Sequence, residues 1–195
     1  MKHFVIGIDP SINSTGVCVS EVGGDINIYY IISSKATKKS IKYCKGIDYI
    51  NIIPYKKEKT KGIEQYWRRE QIKTHNITLV SREIDNILKQ YSNCGIIDRI
   101  TMEGVSYGSV QGAAIVDLSF LNATIRQTFS GFNYYIVSPK EVKKYAVGNG
   151  NAEKDVMVMS WKKLDRKIKD IPDWLKVDDL ADAYFMAHYN PELSE

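Results

Sequence analysis

Three strand-like runs follow one another at the start of this 195-residue chain before any helical pattern begins. Residues 3–9 ("HFVIGID") form a nearly continuous apolar run, followed by 15–22 ("TGVCVSEV") and 25–33 ("DINIYYIIS"). Apolar runs of this length bounded by turn signals read as buried strands. The Gly23-Gly24 pair between the second and third reads as a hairpin turn. The chain therefore opens as three consecutive antiparallel strands.

Only afterwards does the pattern alternate. Helical spacing of Ile72, Leu79, Ile84, Ile87 and Leu88 marks a helix over about 67–91, ended by Asn93 and Gly95. "GIIDRITMEGV" (95–105) is a strand in which Ile100 and Met102 face one way and Thr101 and Glu103 the other. A helix over 111–130 and a strand at "NYYIVSP" (133–139) follow. Pro139 opens a short helix ending near Ala146, and further helices are expected over 152–164 and about 177–189. The expected architecture is α/β: a mixed five-stranded sheet, its first three strands antiparallel, flanked by helices.

The length suits one well-buried domain over 1–195. No apolar run approaches the ~18 residues of a membrane span. The N-terminus "MKHFVIGID" lacks the apolar region and cleavage site of a secretory signal. Cys18, Cys44 and Cys94 are scattered, with no C-x-x-C pair, which argues against disulfides or a thiolate zinc site and suits a reducing cytoplasm. His3, His75 and His188 share no metal-ligand spacing either.

Charge is unevenly placed. Lys35 to Lys73 holds twelve Lys/Arg against four Asp/Glu, in a chain of net charge +4. A basic segment on a mildly acidic body is an electrostatic footprint for a polyanion. Within it, an insert at about 35–66 carries Lys56, Lys57, Lys59 and Lys61, and Tyr43, Tyr49, Tyr55 and Trp67 interleave with lysines as candidates for stacking on bases.

Four acidic positions interrupt the apolar pattern. Asp9 ends the first strand and Pro10-Ser11 follows at once; Glu103 sits near the end of a central strand, just before Gly104. In "VDDLADAYFMAHY", Asp179 and Asp182 are helical neighbours at i, i+3, while Asp178 and Asp182 are neighbours at i, i+4. Spacing alone leaves both pairs open. Like charges so placed destabilise a helix unless a counter-charge intervenes. Hard oxygen ligands suit magnesium or manganese, so a divalent cation is the natural resolution if the acids converge.

Taken together, these residues resemble the RuvC family of Holliday junction resolvases, nucleases of the RNase H-like superfamily. "IGIDPSINSTG" resembles the family's opening strand and turn, and "ITMEGV" the strand with its second acid. "VKKYAVGNGNAEKDVMV" is similar to its Val-Lys helix, Gly-x-Gly turn and Ala-x-Lys helix start, and "DLADAYFMAHY" to its closing D-x-x-D-A helix. The motifs stand in the family's order over residues 4–189. The resemblance implies an RNase H-like fold, with Asp9, Glu103, Asp179 and Asp182 as the metal-binding acids, favouring Asp179 over Asp178. It also implies Lys143 and Lys154 beside the scissile phosphate. Two departures stand out. Ser106 occupies the place of the family's aromatic wedge, with Tyr107 one position later, and the 35–66 insert is longer than the family pattern.

What the resemblance implies for function is a homodimeric crossover junction endodeoxyribonuclease, acting on four-way and other branched DNA. Two Mg2+ ions (or Mn2+) would activate water and stabilise the leaving 3′-oxygen, giving 5′-phosphate and 3′-hydroxyl ends. Asp9 would bridge the ions, Glu103 and Asp182 would hold one each, and Asp179 would complete the shell. Dimerisation through the helix after Glu103 would match two active sites to two cut strands. A broader nuclease for flaps, Y-junctions and forks is the nearest alternative. A non-catalytic junction-binding module is disfavoured by intact acids at all four positions. An actin-like kinase or ATPase is disfavoured by Pro10-Ser11 after Asp9 and by a length about half that of two such lobes.

Overall fold

The computed structural model describes residues 1–105, 112–172, 174–175 and 177–193. Strands β1 (Lys2–Asp9), β2 (Ser14–Glu21) and β3 (Asn27–Ser33) come first. Helix α1 (Lys38–Cys44), β4 (Ile50–Pro54), α2 (Tyr66–Ser92) and β5 (Gly95–Glu103) follow. Then come α3 (Ala113–Gln127), β6 (Tyr134–Val137), α4 (Pro139–Val147), α5 (Lys154–Leu164) and α6 (Asp178–His188). The strands form one sheet in the order β4-β3-β2-β1-β5-β6. As expected, β1, β2 and β3 are antiparallel neighbours, while β5 and β6 add in parallel beside β1.

Among the described residues the sheet has six strands, where the sequence pattern suggests five. The extra one is β4, which lies inside the basic insert and pairs in parallel with β3, Ile31 opposite Ile52. It falls within "IDYINIIPY", where the sequence suggests a short strand, and the count of five leaves out its pairing with the main sheet. The insert also contains α1, started by a capping box in which Thr37 and Ser40 satisfy each other's backbone N–H groups. The first part of the lysine-rich segment is therefore folded against the sheet, through α1 and β4.

Strand alternation sends each sheet face to a different helical layer. Ile6, Ile8, Val17, Val19, Ile100 and Met102 pack with Ile77, Val80, Ile84 and Leu88 of α2 and with Leu121 and Ile125 of α3. Cys18, Tyr29 and Ile31 face the opposite layer, with Val142, Met157, Trp161 and much of α6. Burying each such large side chain is worth ~1.5–3 kcal/mol, so both layers are held mainly by apolar area. A polar tie adds to the second: Tyr29 Oη donates to the buried carboxylate of Asp165 (2.6 Å), Asn27 Nδ2 donates to the same oxygen (3.0 Å), and Trp161 Nε1 donates to Tyr29 Oη (2.9 Å).

Helix α6 is buried almost all round, from Leu180 to Ala187, and lies against β1 and β2. Its close approach depends on Gly7, where a Cβ would stand 1.9 Å from the Ala183 carbonyl oxygen. Any other residue there would lift the helix from the sheet. Among the described residues, no helix is long and apolar enough to cross a membrane.

Candidate active site

Asp9 and Glu103 reach one site because β1 and β5 are parallel and in register. Ile8 pairs with Met102, so the next residues, Asp9 and Glu103, end neighbouring strands at the same edge. Period-2 alternation turns both toward α6, away from the Ile8 and Met102 side. The turn after Asp9 is fixed by its own side chains. Ser11 N–H donates to Thr15 Oγ1 (3.0 Å), and that hydroxyl donates back to the Ser11 carbonyl (2.7 Å). Pro10 and this hydroxyl-clamped reversal hold the carboxylate at the strand end. On the β5 side, buried Asn122 of α3 donates to the Glu103 carbonyl at 3.0 Å, and Arg126 Nη2 donates to the Asn122 side-chain oxygen at 2.6 Å.

Helix α6 supplies the other acids. Asp178 and Asp179 occupy its first turn, where the helix dipole favours negative charge, and Asp182 lies one turn on. The Asp179 backbone rests on β2, within 2.2 Å of where a Gly16 Cβ would stand. Gly16 is itself the strand partner of Asp9.

The electrostatics follow from the proximity of these groups. Burial, and then Glu103, Asp179 and Asp182, push the Asp9 carboxyl well above the usual range, against the pull of Lys154. Burial and Asp182 raise Glu103 to about 7, although a hydrogen bond with Asp9 and the charges of Lys143 and Lys154 pull it down. Burial raises Asp182 to about 6, with Lys154 and Lys143 opposing and Asp179 adding. Asp179 is also raised by burial, moderated by a hydrogen bond from Ser14 and by the charges of Lys154 and Lys35. An acidic pocket this short of cations binds protons near neutral pH, or a positive ligand that displaces them.

Both anticipated lysines face the acids. Lys143 of α4 donates to the Ala152 carbonyl at 2.7 Å, tying its helix to the loop before α5. Lys154, the first residue of α5, donates to Asp178 at 2.8 Å. Burial works against the Lys154 charge, but that hydrogen bond and the charges of Asp178, Asp179 and Asp9 prevail and push it up to about 12.

The donor set is all carboxylate oxygen and fits magnesium or manganese in chemistry and charge. Among the described residues, no three His, Cys, Asp or Glu side chains are drawn together into a cage that could hold a metal ion. The backbone brings the four acids to one place, while their side chains engage each other, Ser14 and the lysines.

The remaining DNA-contact candidates divide. Lys57, Lys59 and Lys61 line a cavity of about 300 Å3 with Lys73 of α2 and Asp117 of α3, bordered by Ile12 of the β1–β2 turn. Lys57 Nζ donates to Asn13 Oδ1 at 2.7 Å, so this strip begins at the turn that follows Asp9. Lys56 instead lines a separate hollow with His75 and Arg82. Tyr107 lies outside the described residues. Ser14, Lys35, Asn122 and buried Asn76 carry no signal in the sequence that singles them out. Asn76 pins the lysine loop by accepting from Glu58 N–H and donating to the Glu58 carbonyl.

The sheet order and the crossing of α6 over β1 and β2 form an RNase H-like fold. Solved structures agree over nearly the whole chain. RuvC from Thermus thermophilus matches 96% of it and 91% of its own chain, at TM-score 0.56 and 16% identity. The same organism's RuvC in complex with a Holliday junction substrate matches at 0.59 and 15%, covering 96% of this chain and 90% of that one. The yeast mitochondrial Holliday junction resolvase Ydc2 matches at 0.54 and 14%, covering 94% and 75%. No family model matches the sequence, and no curated protein matches it.

Proposed function

We propose that this protein is a structure-specific endonuclease that hydrolyses phosphodiester bonds in branched DNA, with the four-way junction as its principal substrate. One observation carries the reading: four acids from β1, β5 and α6 share a buried strand-end pocket flanked by Lys143 and Lys154. It is supported by the likeness in fold to proteins solved as Holliday junction resolvases, one of them with that substrate bound.

Asp9, Glu103, Asp179 and Asp182 would hold divalent magnesium or manganese, which when bound lowers the pKa of an attacking water and stabilises the leaving 3′-oxygen. The rest is the work of the chain. Asp9 and Glu103 stand on rigid strand ends, which limits their displacement to the ~0.5 Å a productive site tolerates. Lys143 and Lys154 offset negative charge beside the acids, where a phosphate would otherwise be repelled. Lys57, Lys59 and Lys61, which line the cavity bordered by Ile12 and of which Lys57 reaches Asn13, offer phosphate contacts to a DNA arm leaving the site.

A homodimer would set two such sites against the two strands to be cut. Helix α3 offers a face for it, since Val116 is 64% exposed and Phe120, one turn later, 46%. The deciding experiment is magnesium-dependent cleavage of a labelled four-way junction beside flap and linear duplex controls. Junction cleavage giving 5′-phosphate ends is expected. Failure to cut any branched DNA in Mg2+ or Mn2+ would overturn the reading, and equal rates on flaps would move it to the broader branched-DNA nuclease.

A further inference from the structure

A second hollow, of about 470 Å3, is lined in part by Asp179 and Lys154. Asp178, Asp179, Lys35 and Lys154 line it together with Trp174, and Ile31 and Ile52 are among its apolar walls. The volume lies within the ~300–1,000 Å3 typical of small-molecule sites, and the mixture of apolar walls with a few polar groups is also typical. Part of its lining belongs to the insert: Ile52 is on β4, and Thr37 and Ser40 begin α1.

Trp174 is held as a platform. The Tyr43 ring meets it edge-on at 5.4 Å, and Lys39 Nζ lies 4.1 Å from its ring centroid. The neighbouring Leu175 is buried and anchors the segment, yet Trp174 remains 42% exposed. A large aromatic braced by two residues of α1 and left open beside a cluster of acids is poorly explained by core packing. A flat aromatic surface with cations near it suits a nucleobase joined to a phosphate. The hollow is too small for a duplex, so the base must come unstacked, which is least costly where pairing is already interrupted.

We propose that this hollow receives one unpaired nucleotide of the cleaved strand, adjacent to the scissile phosphate, with its base stacked on Trp174 and its phosphate toward Lys35 and Lys154. The assignment rests on the nuclease reading above and deepens it, because substrate choice would then depend on a nucleotide that can leave the helix at the cut. The α1–β4 insert would thus serve recognition by building a base pocket as well as by supplying charge.

The test pairs Trp174→Ala with junctions carrying an abasic residue at either nucleotide flanking the cut. Affinity is read by fluorescence anisotropy in EDTA, and single-turnover cleavage in Mg2+. At one of the two positions the abasic residue should slow the wild-type enzyme on the order of tenfold. Trp174→Ala should lose a similar factor on the intact junction and be indifferent to the missing base, so the two losses do not multiply. Trp174→Phe should restore most of the base dependence. Wild-type cleavage that is blind to both abasic positions overturns the pocket without need of any variant, as does full multiplication of the two losses. A protein that binds no branched DNA, or binds it and never cuts, overturns the nuclease reading and this inference with it. Normal junction cleavage without base dependence overturns this inference alone.

Discussion

Gly16 lies against the backbone of Asp179 so closely that a Cβ added to it would stand 2.2 Å from the Asp179 carbonyl oxygen and 2.6 Å from its carbonyl carbon. The same glycine is the strand partner of Asp9. One small residue thus sets the gap between two of the four acids. Gly16→Ala must displace the first turn of α6 or bend β2, since backbone cannot yield as a side-chain tip does. The expected result is a loss of ~1–3 kcal/mol in chemical denaturation and a larger proportional loss of junction cleavage. An alanine variant with wild-type stability and rate would show that this close approach does not position the site.

The pairing of Lys154 with Asp178 distinguishes two adjacent acids that spacing alone leaves equivalent. Asp178 is engaged by the lysine, whereas Asp179 is among the charges that raise Asp9. Asp9→Asn and Asp179→Asn should each lower single-turnover cleavage by on the order of 10²-fold or more while leaving junction affinity within a few-fold. Asp178→Asn should cost much less. Equal losses for Asp178→Asn and Asp179→Asn would reverse their assignment, and an active Asp9→Asn enzyme would remove the carboxylate site altogether.

Much of the fold is legible in the sequence because its elements carry strong periodicity. The three opening strands, α2 and β5 stand close to where apolar spacing puts them, and α6 buries the stripe of Leu180, Ala183, Tyr184 and Ala187. The acids are legible as interruptions of that pattern, although choosing Asp179 needs the family resemblance. Other residues leave no local signal. Lys35 and Ser14 reach Asp179 only through tertiary folding, and Asn122 acts on a backbone carbonyl of another element. Trp174 follows Pro172 in a charged linker where no period exists. The strand β4 lies within "IDYINIIPY", whose apolar run marks a short strand, but five residues among lysines do not show that it joins the main sheet.

The lysine strip predicts an uneven salt response. Lys57, Lys59 and Lys61 share one cavity that starts at the turn after Asp9, and Lys56 faces another. Changing the three together to Ser should weaken junction binding. It should also lower the magnitude of the log K against log salt slope by about one for each phosphate that is no longer neutralised. Lys56→Ser alone should leave the slope nearly unchanged. Anisotropy titrations from about 50 to 200 mM salt decide it, and an unaltered slope in the triple variant would detach this strip from DNA.

The raised carboxyls predict how the metal-free protein responds to pH. Burial and neighbouring acids lift Glu103 to about 7 and Asp182 to about 6, above their ordinary values of 4.5 and 3.8. Between the ordinary and the raised values the folded state binds more protons than the unfolded chain, so stability falls as pH rises through that window. Below about pH 4 both states are protonated and this contribution is fully present. By about pH 8 it is lost. In EDTA the Tm should therefore drop on going from about pH 5 to about pH 8, by several degrees at ~2–4 °C per kcal/mol for a domain of this size. Magnesium or manganese should raise the Tm strongly at the higher pH and weakly at the lower, because cation and protons compete for the same oxygens. Glu103→Gln with Asp182→Asn should flatten both responses. Thermal melts at the two pH values, with and without metal, provide the test, and a metal-free protein that gains stability across that pH range would contradict the repulsion among these acids.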